Sequence, residues 1–165
     1  MDSWMKETIE RETAEMTAEY GDVPPPYFLY PGVHPFSICW RMGCGETHWM
    51  VFGDWWERQE AVWNEEQRIE FFRKYPPPPL WLAWTVRLLW LQEDEDLDPD
   101  PLESDYSAYF AKAEALGLGT GEECKHAWRT FNDDAPERVK RQEEKEEELK
   151  KLEKEEKEAG EAKEE

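Results

Sequence analysis

The sequence predicts a mainly α-helical protein with one compact domain of about five to six helices, judged from the spacing of apolar residues. Trp49, Trp56 and Trp63 recur every seven residues, which places them on one face of a helix. Asn64 and Gln67 form a capping-box signature, which marks the start of another helix. No segment with alternating apolar residues has a convincing partner strand elsewhere in the chain. These three observations favour helices over a sheet.

Two regions of different composition divide the 165-residue chain. Residues 1–135 form a tryptophan-rich acidic helical domain that is long enough to bury a core, since domains commonly contain about 100–150 residues. Residues 136–165 contain only three sizeable apolar residues, Val139, Leu149 and Leu152. Such a segment cannot join a core, so we expect a charged C-terminal tail that is either a solvated helix or disordered.

The first part of the domain is expected to contain one helix and one extended segment. Apolar residues at helical spacing predict an amphipathic helix over residues 3–20, ended by Gly21. Three prolines at positions 24–26 then enforce an extended connector, because proline fixes φ and lacks an N–H donor. Residues 27–42 are expected to be extended and packed on helices, or at most to form a short hairpin. The alternating apolar residues that suggest this conformation are Phe36, Ile38, Trp40 and Met42.

The rest of the domain is predicted to consist of helices joined by loops. The tryptophan-rich helix covers residues 46–63, with an apolar face wide enough to pack on two sides. Residues 80–91 are apolar nearly all round, which makes them the best candidate for the central core helix. Further helices are expected over residues 64–75, 105–116 and 120–131, with an acidic loop over residues 92–104.

Acidic residues dominate the expected surface. The net charge of the chain is −20. Residues 1–135 carry 27 acidic and 11 basic side chains, so the globular part alone carries −16. Such a surface repels phosphate backbones, which argues against direct binding of nucleic acid. Because it attracts basic proteins and speeds their association, the charge predicts a basic protein partner.

Cysteine content and hydropathy indicate the cellular environment. Three cysteines, without an apolar signal-peptide core near the N-terminus, favour the reducing cytoplasm. The longest apolar run, Leu80–Leu91, includes Arg87 and is shorter than the about twenty residues that a membrane span needs. We therefore expect a cytoplasmic protein without a membrane segment. No sequence motif indicates a cofactor.

The segment around the Gly43–Gly45 turn holds the residues with the most distinctive chemistry. His34, Cys39, Cys44 and His48 are candidate zinc ligands. Against zinc, the chain lacks a two-residue cysteine knuckle, and Cys39 and Cys44 are expected on opposite strand faces or across a glycine hinge. Cys44 and His48 are also a candidate nucleophile and base, because a helix N-terminus lowers the pKa of a thiol. The same pattern is better explained by a sharp turn into a helix and by cysteines that are buried for packing.

Two isolated arginines, Arg41 and Arg87, are set among tryptophan and aliphatic residues. Each is expected either to stack on tryptophan and pair with a buried acid, or to contact a ligand carboxylate or phosphate. The candidate acidic partners are Glu46, Asp54 and Glu57. Trp40 is expected at the periphery of the core, where an exposed tryptophan marks a partner site. The candidate binding residues are therefore Trp40, Arg41, Glu46 and Asp54.

Three classes of function are consistent with these features. The leading prediction is a small acidic interaction protein that binds a basic protein, in the manner of an inhibitor, immunity or adaptor protein of a bacterium or virus, with nucleic-acid mimicry as a special case. The second is a small enzyme that uses Cys44 and His48, although the sequence contains no coherent catalytic set. The third is a structural subunit of a larger assembly that docks through its C-terminal helix.

Overall fold

A computed structural model of the chain describes residues 2–91, 96–134 and 136–162. Within these ranges the protein is mainly helical and has no strand, which confirms the predicted fold class. None of the helices in these ranges is both long enough and apolar enough to cross a membrane. The acidic loop predicted over residues 92–104 lies partly outside the described residues.

The described residues form nine α-helices and one 3₁₀ turn. The helices are α1 (Ser3–Tyr20), α2 (Pro26–Leu29), α3 (Cys39–Met42), α4 (Glu46–Glu60), α5 (Glu65–Lys74), α6 (Leu82–Trp90), α7 (Ser107–Ala115), α8 (Gly121–Asp134) and α9 (Pro136–Ala162), and the 3₁₀ turn is Pro79–Trp81. The chain divides into two compact units, Met1–Lys125 and His126–Glu165, and the division falls within α8. The composition of the sequence predicts that the tail begins at residue 136.

Local signals set the ends of two helices as expected. Gly21 ends α1 with a φ of 84°, a conformation that glycine adopts without strain, and its N–H donates to the carbonyl oxygen of Thr17 at 2.9 Å. Asn64 and Gln67 form the capping box that begins α5. The Gln67 N–H donates to the Asn64 side chain at 2.9 Å, and the Asn64 N–H donates to the Gln67 side chain at 3.0 Å. These short-range patterns were therefore sufficient to locate both termini.

The segment over residues 27–42 differs from the extended or hairpin conformation expected for it, because it contains the single-turn helices α2 and α3. Pro26 is the first residue of α2, where its fixed φ suits a helix and its missing N–H is not needed. Of the four alternating apolar residues only Trp40 is buried. Phe36, Ile38 and Met42 are 57, 66 and 80% exposed. The alternation was therefore not the signature of a half-buried strand.

An aromatic cluster forms the core of the first unit. Trp81 is fully buried at its centre, and its ring centroid lies 5.2 Å from that of Trp84 and 5.5 Å from that of Trp40. Phe52 of α4 contacts Trp84 of α6 at 5.5 Å between ring centroids. The Phe72 ring of α5 packs on Trp56 of α4 at 5.3 Å. The two tryptophan-rich segments therefore form the core, as the sequence predicts.

The second unit contains the end of α8 and the long helix α9. Described side chains from residue 147 to residue 161 are all exposed. They include Leu149 and Leu152, which are 59 and 53% exposed. The apolar residues of this part of α9 thus join no core within the described structure.

Candidate functional site

The turn between α3 and α4 brings two candidate residues together. The sulfur atoms of Cys39 and Cys44 lie 3.0 Å apart, with Cys44 exposed and Cys39 half-buried. Of the two expected arrangements, opposite strand faces or across a glycine hinge, the structure shows the second. The chain reverses through Gly43 and Gly45, and the Gly45 N–H donates to both the carbonyl oxygen and the sulfur of Cys39, each at 3.2 Å. The result is a compact dithiol turn, defined here as residues 39–45.

His48 does not take part in the dithiol turn. Its ring is 4% exposed within α4, and its Nε2 atom lies 2.9 Å from the carbonyl oxygen of Pro24. No hydrogen bond links Cys44 to His48 in the part of the chain that the structure describes. The hydrogen bond between the Cys44 and Cys39 thiols, with a smaller contribution from burial, raises the pKa of the Cys44 thiol, so the expectation of a lowered pKa is wrong. The structure thus pairs Cys44 with a second thiol and not with a base.

The structure also separates the cysteines from the histidines among the four candidate zinc ligands. Two of them form the dithiol turn, whereas the two histidines bind separate backbone groups. The Nδ1 atom of His34 accepts from the Phe36 N–H at 2.9 Å. Over the described ranges, no three histidine, cysteine, aspartate or glutamate side chains lie close enough together to hold a metal ion.

The burial of His48 leads to a prediction about pH. Burial lowers the pKa of this imidazole below its usual value of 6.5, and Nδ1 has no hydrogen-bond partner among the residues that the structure describes. The neutral ring donates from Nε2 to Pro24. As the pH falls through about 6.5, the unfolded chain binds a proton that the folded chain does not, so the free energy of unfolding should decrease until the lower folded pKa is reached. Urea denaturation between about pH 8 and about pH 5.5 measures this loss, above the range in which carboxylates titrate.

Two variants separate this contribution from other groups. His48→Gln retains an N–H donor for Pro24 but does not titrate, so it should flatten the pH dependence. His126→Gln is the matched control, because it removes an exposed imidazole and leaves His48 in place. Equal slopes in the wild type and in His48→Gln would show that another group is responsible.

Trp40 is part of the core and not peripheral, which corrects the expectation for this residue. It is 4% exposed, its Nε1 donates to the carbonyl oxygen of His34 at 2.9 Å, and its ring packs on Trp49 at 5.3 Å. The neighbouring Arg41 is exposed, and it makes no ion pair with the described carboxylates. The expected pairing of Arg41 with a buried acid is therefore wrong.

Arg87 also pairs differently from the expectation. Its guanidinium donates to the carbonyl oxygen of Leu97 at 2.9 Å and to the hydroxyl of Tyr106 at 3.1 Å. The Tyr106 hydroxyl in turn donates to the carbonyl oxygen of Asp98 at 2.5 Å. Arg87 thus links α6 to the acidic loop through backbone oxygens. Sequence reasoning missed this network because side-chain patterns carry no information about which distant carbonyl groups a fold leaves available.

A groove of about 870 Å³, which no sequence pattern predicts, lies between α4 and α6. Gly53 lines the groove, and a Cβ atom placed there would meet no atom of the described residues within 4 Å. Trp49 and Trp84 are half-buried at its surface, whereas Phe52 and Trp56 are buried. The groove is lined by Trp49, Phe52, Gly53, Trp56, Glu57, Glu60, Arg68, Trp84, Arg87, Leu88 and Leu91.

The charged side chains around this α4–α6 groove differ in whether they already have a partner within the described residues. Its two arginines already have internal acceptors, since Arg87 binds the acidic loop and Arg68 lies 3.9 Å from Glu60. Glu57 is exposed and has no cationic partner in the described residues. On the same helix, Asp54 pairs with Arg58 at 2.9 Å, and Glu46 lies exposed in the first turn. The groove therefore offers a carboxylate next to aromatic surface.

Comparison of the chain with protein-family models, with curated proteins and with solved structures finds no match. The functional interpretation therefore depends on the geometry and charge of this chain alone.

Proposed function

We propose that this protein is an interaction protein that binds a basic amphipathic segment of another protein in the α4–α6 groove. The observation that carries the proposal is the combination of an aromatic surface, an exposed Glu57 carboxylate without a cationic partner among the described residues, and the open backbone at Gly53. A protein with this activity is of the inhibitor, immunity or adaptor type.

Charge favours a basic occupant. The net charge of −20 attracts cationic surfaces and raises the association rate. Within the groove, the faces of Trp49 and Trp84 supply aromatic surface for the methylene stems and cationic groups of lysine or arginine. An acidic ligand would meet Glu57 without a free cation to balance it, because both arginines of the groove are engaged.

Gly53 gives an independent reason to expect close approach by a partner. A glycine inside a helix costs about 0.5–1 kcal/mol relative to alanine. No atom of the described chain packs against the position, so internal packing does not require glycine there. A partner backbone could approach α4 most closely at this point. The glycine is thus explained by binding better than by folding.

The test uses a labelled synthetic helix of leucine and lysine and a matched helix of leucine and glutamate. Fluorescence anisotropy should show binding of the lysine peptide and much weaker binding of the glutamate peptide. The double variant Glu57→Lys/Glu60→Lys should weaken binding of the lysine peptide by about tenfold, which corresponds to about 1.4 kcal/mol. Gly53→Leu should also weaken it by filling the groove, since the position has open space.

A control of equal charge distinguishes the groove from general attraction. Glu10→Lys/Glu15→Lys changes the net charge by the same amount on exposed positions of α1, none of which lines the groove. Its effect should stay within about threefold, because screened charges at a distance contribute little. Equal loss of binding in both double variants, or unchanged binding in Gly53→Leu, would contradict the assignment of the groove.

We also propose that the protein acts in the cytoplasm. All three cysteines are free thiols, a state that a reducing compartment maintains.

The proposed basic partner can itself be a protein that binds nucleic acid. An acidic protein competes with nucleic acid for the same cationic surface of such a partner.

A further inference from the structure

We propose that Cys39 and Cys44 form a reversible dithiol–disulfide pair, so that the dithiol turn is a redox modification site. The two sulfur atoms already lie 3.0 Å apart, and one of them is exposed to solvent. A disulfide requires a separation of about 2.05 Å. The sulfurs therefore need to move together by only about 1 Å, which side-chain rotation and small backbone shifts can supply. This inference is independent of the proposed binding groove.

The backbone of the turn holds the two thiols in this arrangement. A Cβ atom at Gly43 would lie 2.7 Å from the Cα atom of Cys39, so only glycine permits the chain to fold back so closely. The Gly45 N–H donates to the carbonyl oxygen of Cys39 and to its sulfur. On the other side, the Tyr30 hydroxyl donates to the carbonyl oxygen of Cys44 at 2.7 Å. Contacts on both sides thus fix the cysteine backbones before any oxidation occurs.

The surroundings assign different roles to the two sulfurs. Cys44 is exposed and can meet an oxidant directly, whereas Cys39 is half-buried behind it. This difference in exposure makes Cys44 the attacking thiol and Cys39 the resolving thiol. An exposed thiol with an adjacent resolving cysteine is the arrangement of reversible redox sensors.

The chemistry balances with a peroxide as the oxidant. The Cys44 thiolate attacks one oxygen of hydrogen peroxide, the O–O bond breaks, and the products are a sulfenic acid and hydroxide, which takes up a proton to form water. The Cys39 thiolate then attacks the Cys44 sulfur, the S–S bond forms, and the sulfenic hydroxyl leaves as a second water. Two thiols and one peroxide thus give one disulfide and two waters. A dithiol reductant reverses the modification by thiol–disulfide exchange.

Cys124 provides an internal control within the same chain. It is fully buried, and burial raises the pKa of its thiol to about 11. A buried and protonated thiol reacts slowly, because the thiolate is the reactive form. Peroxide should therefore oxidise the two cysteines of the dithiol turn and leave Cys124 as a free thiol.

The position of Arg41 makes the product easy to recognise. Trypsin cleaves after Arg41, between the two cysteines, and separates residues 12–41 from residues 42–58. After treatment of the full chain with hydrogen peroxide, mass spectrometry should find these two peptides joined, and a reductant should separate them. The thiols of Cys39 and Cys44 should be lost at least about tenfold faster than the thiol of Cys124.

Single variants test the two roles. Cys39→Ser should accumulate a sulfenic acid at Cys44 that dimedone traps, because no resolving thiol remains. Cys44→Ser should lose thiols slowly, like Cys124, and Cys124→Ser should form the linked peptides at the wild-type rate. The proposal would be overturned by disulfides between chains in place of the internal link, by links to Cys124, or by equal slow oxidation of all three thiols.

Discussion

Replacing Trp81 with alanine should lower the free energy of unfolding by about 3–5 kcal/mol, the range typical of large aromatic truncations in a core. Trp81 is fully buried. Its ring contacts four other aromatic rings, with centroids between 5.2 and 6.3 Å away: Tyr27, Trp40, Trp49 and Trp84. Its Nε1 also donates to the carbonyl oxygen of Val33 at 3.0 Å. The substitution removes these contacts and that donor together.

Urea denaturation followed by far-ultraviolet circular dichroism measures the loss. Trp81→Phe retains an aromatic ring but leaves the Val33 oxygen without its donor, so it should cost less, about 1–3 kcal/mol. Trp4→Ala is the matched control, because Trp4 is 70% exposed and surface substitutions usually change stability by less than about 0.5 kcal/mol. A comparable loss in Trp4→Ala and Trp81→Ala would contradict the assignment of the core.

The helical part of this fold could be predicted because its signals are local. The capping box of Asn64 and Gln67 lies within four residues, and Gly21 ends α1 through one residue in the left-handed region. The tryptophans of α4 recur at helical spacing, and the structure buries Trp56 at 4% exposure. In each of these cases the residues that decide the structure are neighbours in the sequence.

The segment over residues 27–42 could not be predicted in this way, because distant contacts decide its conformation. Trp40 is held by Trp81, which follows it by 41 residues. Once that ring is buried, the short turn of α3 leaves Ile38 and Met42 exposed. Their alternation in the sequence therefore carries no information about a strand. A tertiary contact overrode the local pattern.

The candidate sites likewise combine features with a local signal in the sequence and features that depend on distant contacts. Cys39 and Cys44 were recognised individually, but their pairing depends on a chain reversal through two glycines. Gly43 and Gly45 were the available signal, since two glycines flanking a cysteine permit a close return of the backbone. The α4–α6 groove had no such signal. It requires the packing of two helices that are separated by α5 in the sequence.

Two alanine substitutions in the same region should have opposite effects on stability. A Cβ atom at Gly45 would lie 2.5 Å from Cε3 of Trp40 and 3.1 Å from the sulfur of Cys39. Trp40 cannot move aside readily, because its Nε1 is bound to the carbonyl oxygen of His34 and its ring is packed in the core. Overpacking of this kind typically costs about 1–3 kcal/mol, so Gly45→Ala should destabilise the protein by that amount.

Gly53→Ala should instead stabilise the protein by about 0.5–1 kcal/mol, because alanine restricts the unfolded chain and meets no atom within 4 Å in the folded one. Gly45 precedes α4 and Gly53 lies within it, and both have helical or nearly helical backbone. The opposite effects on stability therefore report how much room each site has for a Cβ atom. Urea denaturation of the two variants beside the wild type measures it. If Gly45→Ala were neutral, the close packing of Trp40 on the dithiol turn would be wrong. If Gly53→Ala were destabilising, an unrecognised contact would have to fill the groove at that position.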